Sequence, residues 1–261
     1  MSTSLTGCLE EMDRRGLIPA DCLAVCCVGS VARGWSNVTS DYDFNVVSST
    51  PWAGESARTI PVPLEPAAVP AVVLHVDGRR WEIKYWLDSQ VRQMIGKVGW
   101  EQFETGGSTA RALIDTEELF LERMGTCLTL SGAAWAEECR RRVEESAFRA
   151  FVTTRSLSEA DSSVEDAVGQ LADGDVDSAV LSARKALGHT VDALLESKGN
   201  FGSRTPKWRA RRFREVRPEA LSFEEYWALE TMRSFDPGDP RAWASLVIQR
   251  CRDLTMEVDI G

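Results

Sequence analysis

The sequence predicts an α+β chain in two parts: a mixed sheet with flanking helices, then a domain of helices alone. Two observations carry this. Up to about residue 125, short apolar runs of strand length alternate with helical stretches, and a hairpin signal, Asp77-Gly78, joins two strand-like runs. Beyond about Gly125 strand signals stop, and Ala133–Thr154, Val176–Ser197 and Arg241–Met256 all show helical spacing. The expected division is a first domain over 1–125 and a helical domain over 126–261.

The elements follow in order. Ser4 to Arg15 has the spacing of an amphipathic helix and stops at Gly16. Cys22 to Val28 (CLAVCCV) is an apolar run of strand length, broken by Gly29-Ser30. A short helix and a second strand come next. Between Ser48 and Pro70, Pro51, Pro61, Pro63, Pro66 and Pro70 exclude a central strand or a long helix. That leaves an irregular segment of the kind used as a lid or a substrate edge. Ala71–Val76 and Arg79–Leu87 form the hairpin; in its second strand Arg80, Glu82 and Lys84 share one face, and Trp81, Ile83 and Tyr85 the other. In Val176–Ser197 the residues Val180, Ala183, Leu187, Val191, Leu194 and Leu195 make one apolar stripe, with Arg184, Lys185 and Asp192 off it.

Composition narrows the class. A net charge of −10 over 261 residues speaks against tracking a nucleic-acid backbone. No apolar run approaches the ~18 residues of a membrane span, so no membrane partner is expected. The N-terminus lacks the basic-then-apolar pattern of a secretory leader. Seven cysteines without CxxC or Cys/His spacing read as small buried thiols of a cytoplasmic protein, not as zinc ligands.

The chemistry concentrates in Val28-Gly29-Ser30-Val31-Ala32-Arg33-Gly34 and, after a short loop, Ser40-Asp41-Tyr42-Asp43-Phe44. Gly29 has no Cβ, so the backbone there can approach a ligand closely. Ser30 adds a hydroxyl at the start of a short helix, where unpaired N–H groups favour an anion. Strand residues two apart share a face, so Asp41 and Asp43 project together, while Tyr42, Phe44 and Val46 face the other way. Two neighbouring carboxylates are costly without a cation, and Mg²⁺ is the usual one beside phosphates.

Gly29-Ser30, ten residues, then Asp41-x-Asp43 flanked by apolar positions resembles the signature of the DNA polymerase β-like nucleotidyltransferase superfamily. Arg33-Gly34 in the interval and Ser40 before the first Asp agree with it. The superfamily includes kanamycin, streptomycin and lincosamide nucleotidyltransferases and the minimal nucleotidyltransferases of toxin–antitoxin pairs. The resemblance implies a polymerase-β-like first domain and a third acid on a neighbouring strand. Glu82, between Trp81 and Ile83, resembles that acid better than Asp77 in the turn or Asp88 at the next helix. Two Mg²⁺ ions held by Asp41, Asp43 and Glu82 are implied, with a nucleoside triphosphate, ATP, near Gly29, Ser30, Arg33 and Ser40. The reaction implied is attack of a hydroxyl on the α-phosphorus with loss of pyrophosphate, Glu82 taking the proton.

The expected acceptor is a small-molecule hydroxyl, on an antibiotic or a biosynthetic intermediate. Two other readings stay open: a tRNA or protein acceptor, as in toxin-type relatives, and a non-catalytic nucleotide-binding module. Within the basic stretch from Gly202 to Arg217, the cluster Lys207–Arg217 is the feature that favours RNA. There Pro206 suits a helix start, and Trp208 and Phe213 can pack inward. Lys207 and one of Arg211 or Arg212 are candidates for the β- and γ-phosphates, while most of the other arginines read as a solvated face. A Lys-Trp pair after a Gly-containing turn loosely resembles the helical domains of related small-molecule nucleotidyltransferases. Lys185, Lys207 and Arg211 are expected to face the acidic triad across the nucleotide, with the acceptor site between the two halves. His75 and His189 fit no catalytic pattern.

Overall fold

A computed structural model describes residues 5–106 and 112–260, and the chain divides into two compact units, Met1–Trp100 with Leu113–Ser146, and Glu101–Ala112 with Ala147–Gly261. The first unit opens with α1 (Leu5–Arg14), after which Gly16 takes a positive φ. Ser4, the start read from the sequence, lies outside the described residues. β1 (Cys22–Val28) runs into α2 (Gly29–Ala32) through Gly29 at φ +75°. Then come β2 (Tyr42–Ser48), β3 (Arg58–Pro61), β4 (Ala68–Val76), β5 (Arg79–Leu87) and α3 (Asp88–Lys97). α4 (Trp100–Glu104) begins where the division falls; α5 (Asp115–Met124), β6 (Leu128–Ser131) and α6 (Ala133–Glu145) complete the first unit.

The six strands form one mixed sheet in the order β3-β4-β5-β2-β1-β6, with β2 and β5 parallel and the other neighbours antiparallel. Asp77 and Gly78 both take positive φ, as a two-residue hairpin turn requires. The period-2 reading of the strands holds. Tyr42, Phe44, Val46, Trp81, Ile83 and Tyr85 are all buried on one face, in a core with Cys8 and Met12 of α1. On the other face Trp86 packs on Phe120 of α5, with ring centroids 4.8 Å apart.

Three expectations need correction. The Pro-rich segment is not irregular throughout, because it supplies β3 and the start of β4. β3 is only four residues long and lies at the sheet edge, where Pro61 at its end removes no needed hydrogen bond. Strands also do not stop at Gly125. β6 pairs with β1, and so the unit that holds the sheet runs on to Ser146. Four residues, LTLS, are too few for alternation to register as a signal. Finally, Ala133–Thr154 is not one helix. The backbone extends at Ser146 (ψ 170°), whose hydroxyl donates to the Val143 carbonyl at 2.7 Å, and a new helix begins at Phe148. Such local side-chain competition is invisible to apolar periodicity.

The second unit contains α7 (Phe148–Asp173), α8 (Val176–Glu196), α9 (Arg209–Val216), α10 (Phe223–Glu230) and α11 (Pro240–Thr255). Asp175, Ser222 and Asp239 cap α8, α10 and α11 by accepting from backbone N–H groups of the first turn. The stripe read from α8 is buried in full, against Val247, Ile248, Cys251 and Leu254 of α11. Asp192 lies off that stripe and is buried nonetheless. Among the described residues no helix is long and apolar enough to cross a membrane.

Candidate active site

Strand register assembles the site. Val28 lies opposite Asp43 in the antiparallel β1–β2 pair, and Asp43 lies opposite Glu82 in the parallel β2–β5 pair. The turn at Gly29, the Asp43 carboxylate and Glu82 therefore gather at one end of the sheet. A Cβ on Gly29 would fall 2.8 Å from Asp43 Oδ2. Glycine is thus required there twice, by the left-handed φ and by the carboxylate lying over it.

Asp41 sits just before β2 and is tied in by Arg80, whose Nη1 donates to Asp41 Oδ2 at 2.7 Å and whose Nη2 donates to Glu82 Oε2 at 3.0 Å. The other Glu82 oxygen accepts from Arg58 Nη2 at 2.7 Å and lies 3.2 Å from Lys84 Nζ. Burial pushes the Glu82 carboxyl up, but Lys84, Arg80 and Arg58 outweigh it and hold the group below its ordinary value. Asp43 goes the other way. Burial raises it, the charges of Glu82 and Asp41 add to the rise, and Arg123 (4.0 Å) and Lys84 offset only part.

Three hard oxygen donors on adjacent positions of one sheet end suit a divalent cation such as Mg²⁺ in kind. In the arrangement found, no three His, Cys, Asp or Glu side chains among the described residues stand ready to hold a metal ion. Arg80 clamps Asp41 to Glu82, and Arg58 and Lys84 occupy the far side of Glu82. The countercharge expected from an ion is supplied by side chains. Arg80, with 36% of its side chain exposed, stands between the Asp41 and Glu82 carboxylates.

Two of these cations, Arg80 and Lys84, share the Glu82 face in the alternation of β5. Arg58 and Arg123 had no signal. Arg58 reaches Glu82 because β3 pairs with β4 and β4 with β5, which aligns Arg58, Ala71 and Lys84 across the sheet. Arg123 arrives from the end of α5.

The remaining candidates are placed as follows. Ser30 is half-buried in α2, and its carbonyl accepts from the Trp35 N–H at 2.8 Å. Arg33 lies with its guanidinium 4.6 Å from the Trp35 ring centre. The Ser40 hydroxyl accepts from Asn37 N at 2.9 Å, closing the turn that leads into Asp41. In the second unit Lys185, Lys207 and Arg211 are exposed, and the last two lie over the Trp208 ring. Arg212 is a different case. It is fully buried, donating from Nη1 to Asp192 Oδ1 at 2.7 Å and from Nη2 to the Asn200 carbonyl at 2.6 Å. Arg209 holds the other Asp192 oxygen at 2.7 Å. Arg209, expected on a solvated face, and Arg212, a candidate for the phosphates, are instead paired with Asp192, and Arg212 is fully buried there.

No protein-family model matches the chain, and no curated protein sequence matches it. Among solved structures it is similar to a nucleotidyltransferase-like protein from Exiguobacterium sibiricum 255-15, with a TM-score of 0.52 and 10% identity, over 97% of this chain and 75% of that one. The chain has a nucleotidyltransferase-like fold: a mixed six-stranded sheet with helices, followed by a helical region. At that identity the likeness speaks for the fold, and the chemistry has to be argued from the site.

Proposed function

We propose that the protein is a metal-dependent nucleotidyltransferase that moves AMP from ATP to a hydroxyl of a small molecule, an antibiotic or a biosynthetic intermediate, and releases pyrophosphate. The observation that carries this reading is the Asp43 carboxylate packed on Gly29 and in register with Glu82, on a nucleotidyltransferase-like fold.

Asp41, Asp43 and Glu82 are the groups that would hold Mg²⁺. Bound there, the ions would neutralise charge on the triphosphate and acidify the attacking hydroxyl. The open Gly29-Ser30 turn lets backbone amides approach a phosphate without a side chain in the way. Arg80, once released from Asp41 and Glu82, is a bidentate donor suited to phosphate oxygens. Glu82 stays ionised beside Lys84 and Arg58 and is the group placed to accept the hydroxyl proton. The acidic balance supports a small-molecule acceptor. So does the burial of Arg209 and Arg212, which leaves the basic stretch with less exposed charge than its sequence suggests.

Pyrophosphate release across a panel of nucleotides and hydroxyl acceptors tests the proposal, alongside calorimetry of ATP binding with and without Mg²⁺. Turnover with ATP and a small-molecule acceptor is expected. Absence of both turnover and Mg²⁺-dependent nucleotide binding would overturn it, and turnover only on RNA would reassign the acceptor.

A further inference from the structure

The three carboxylates at the sheet end are paired with four cations of the same unit. Arg80 holds Asp41 and one oxygen of Glu82, Arg58 and Lys84 share the other Glu82 oxygen, and Arg123 stands 4.0 Å from Asp43. One positive charge is left over, in a chain whose net charge is −10. The excess is uneven. Glu82 alone meets three cations, and two of them, Arg58 and Lys84, converge on a single oxygen at 2.7 and 3.2 Å.

Strand order shows which side of the site this excess lies on. The Gly29 turn leaves β1, Asp43 is on β2 and Glu82 on β5, while Arg58 comes from β3, beyond β4. With neighbouring strands ~4.8 Å apart, the backbones of β1 and β3 are ~19 Å apart, on opposite sides of Glu82. Arg58 is delivered by the Pro-rich stretch between Ser48 and Pro70, the segment whose composition suits a substrate edge.

We infer that the hydroxyl acceptor is itself an anion, a compound bearing a carboxylate or phosphate group, and that Arg58 is the residue that selects it. This rests on the proposed function and narrows it. There the triphosphate lies at the Gly29-Ser30 turn and Glu82 takes the proton of the incoming hydroxyl. The acceptor therefore enters at Glu82 and extends away from the turn, over β4 and β3, where Arg58 and Lys84 stand. A cationic acceptor, such as an amine-rich antibiotic, would meet like charge on that side.

Arg58 can meet such a ligand while it keeps Glu82. A guanidinium spreads its N–H donors over three nitrogens. Among the described residues, Nη2 is the Arg58 nitrogen with a hydrogen-bond partner, Glu82 Oε1, and 52% of the side chain is exposed. The N–H groups of Nε and Nη1 are left for an oxyanion, and hydrogen bonds between two charged groups are the strong ones. Lys84, 20% exposed, adds its charge from the neighbouring position across the ladder.

The test is an NMR titration of the full chain, saturated with Mg²⁺ and a non-hydrolysable ATP analogue. The probes are four alcohols of similar size: glycerol, glycerate, glycerol phosphate and the cationic aminodiol serinol. At least one of the two anions should bind about tenfold more tightly than glycerol, and serinol no better than glycerol. Glycerate against glycerol phosphate shows which oxyanion the site takes. Arg58→Gln should abolish the preference and Arg58→Lys should keep part of it, with the affinity for the ATP analogue unchanged in both. The series on the unmodified chain needs no variant and decides the matter if Arg58→Gln fails to fold. Equal binding of the four alcohols, or tightest binding of serinol, overturns the inference and leaves the proposed function standing as long as the analogue binds. Weaker binding of the analogue in Arg58→Gln assigns Arg58 to the triphosphate and overturns it too. Failure of the analogue to bind the unmodified chain with Mg²⁺ removes the proposed function, and this inference with it.

Discussion

Each unit of this protein holds a group of arginines and carboxylates, and the two groups are built from the same residue types under opposite conditions. At the sheet end, Asp41, Asp43 and Glu82 meet Arg58, Arg80, Lys84 and Arg123, and the side chains of Arg80, Asp41 and Asp43 are 36%, 42% and 30% exposed. In the helical unit Asp192 meets Arg209 and Arg212, with Glu196 and Arg155 beside them, and the Asp192–Arg212 pair is about 1% exposed on each side. Water reaches Arg80, Asp41 and Asp43, so the Arg80–Asp41 pair is weak, although Glu82 behind it is 10% exposed. The second is sealed. Arg212 there also holds the Asn200 carbonyl and packs on Gly202, so the pair anchors the segment that enters α9. Similar ion pairs thus lie partly open to solvent in one unit and sealed in the other.

The sharpest break between the two groups comes from neutralising one acid in each. Asp43→Asn should cut turnover by about 10³-fold or more while leaving the melting temperature close to that of the unmodified protein. A drop of only a few-fold would remove Asp43 from the chemistry. Asp192→Asn should do the reverse. It leaves Arg212 buried without its partner, and urea titration should show a loss of about 3–5 kcal/mol. Near-wild-type stability would mean that Glu196 takes over as the partner of Arg212.

Glu196 sharpens the contrast through pH. Burial, with the Asp192 charge adding, raises its carboxyl from the ordinary 4.5 to about 7, against the pull of Arg212 and Arg155 and a hydrogen bond from Ser156. The folded state therefore holds this proton more tightly than the unfolded state. The contribution is fully present below pH 4.5, declines as pH rises toward 7, and is lost above it, a change of up to about 3 kcal/mol. Comparing stability between pH 4.5 and 7.5 in the unmodified protein and in Glu196→Gln isolates the group. The difference between the two should change across that window, and a constant difference would show that Glu196 is ionised throughout.

The smallest expected effect concerns the exposed group. If Arg80 stands where a cation would bind, Arg80→Gln should raise the affinity of the protein for Mn²⁺ about tenfold in the absence of nucleotide, equivalent to about 1.4 kcal/mol. Paramagnetic resonance of free Mn²⁺ reads this directly. Weaker Mn²⁺ binding in the variant would show that Arg80 supports the carboxylates and does not compete for them.

The parts of the candidate site that a local rule governs are legible in the sequence. Gly29 and Asp41-x-Asp43 stand out because a turn and a two-residue spacing are short-range facts, and Glu82 was placed on its face by alternation within β5. The strand–turn–strand hairpin at Asp77-Gly78 was legible for the same reason, as was the apolar stripe of α8. What escaped was set at long range. β6 is too short to announce itself and exists because β1 offers it an edge. Arg58 and Arg123 come to the carboxylates from a Pro-rich edge strand and from the end of α5, 24 and 80 residues from the acids they serve. Asp192 and Arg212 look like surface charges in a helical pattern, and only the packing of Asn200 and Gly202 over them turns them into a buried pair. Local patterns in the chain therefore mark Asp43 and Glu82 as candidates and mark the strands that carry them. Tertiary structure alone decided which charges meet, because ion pairing and burial depend on strand order and on segments far apart in the chain, and no local period encodes either.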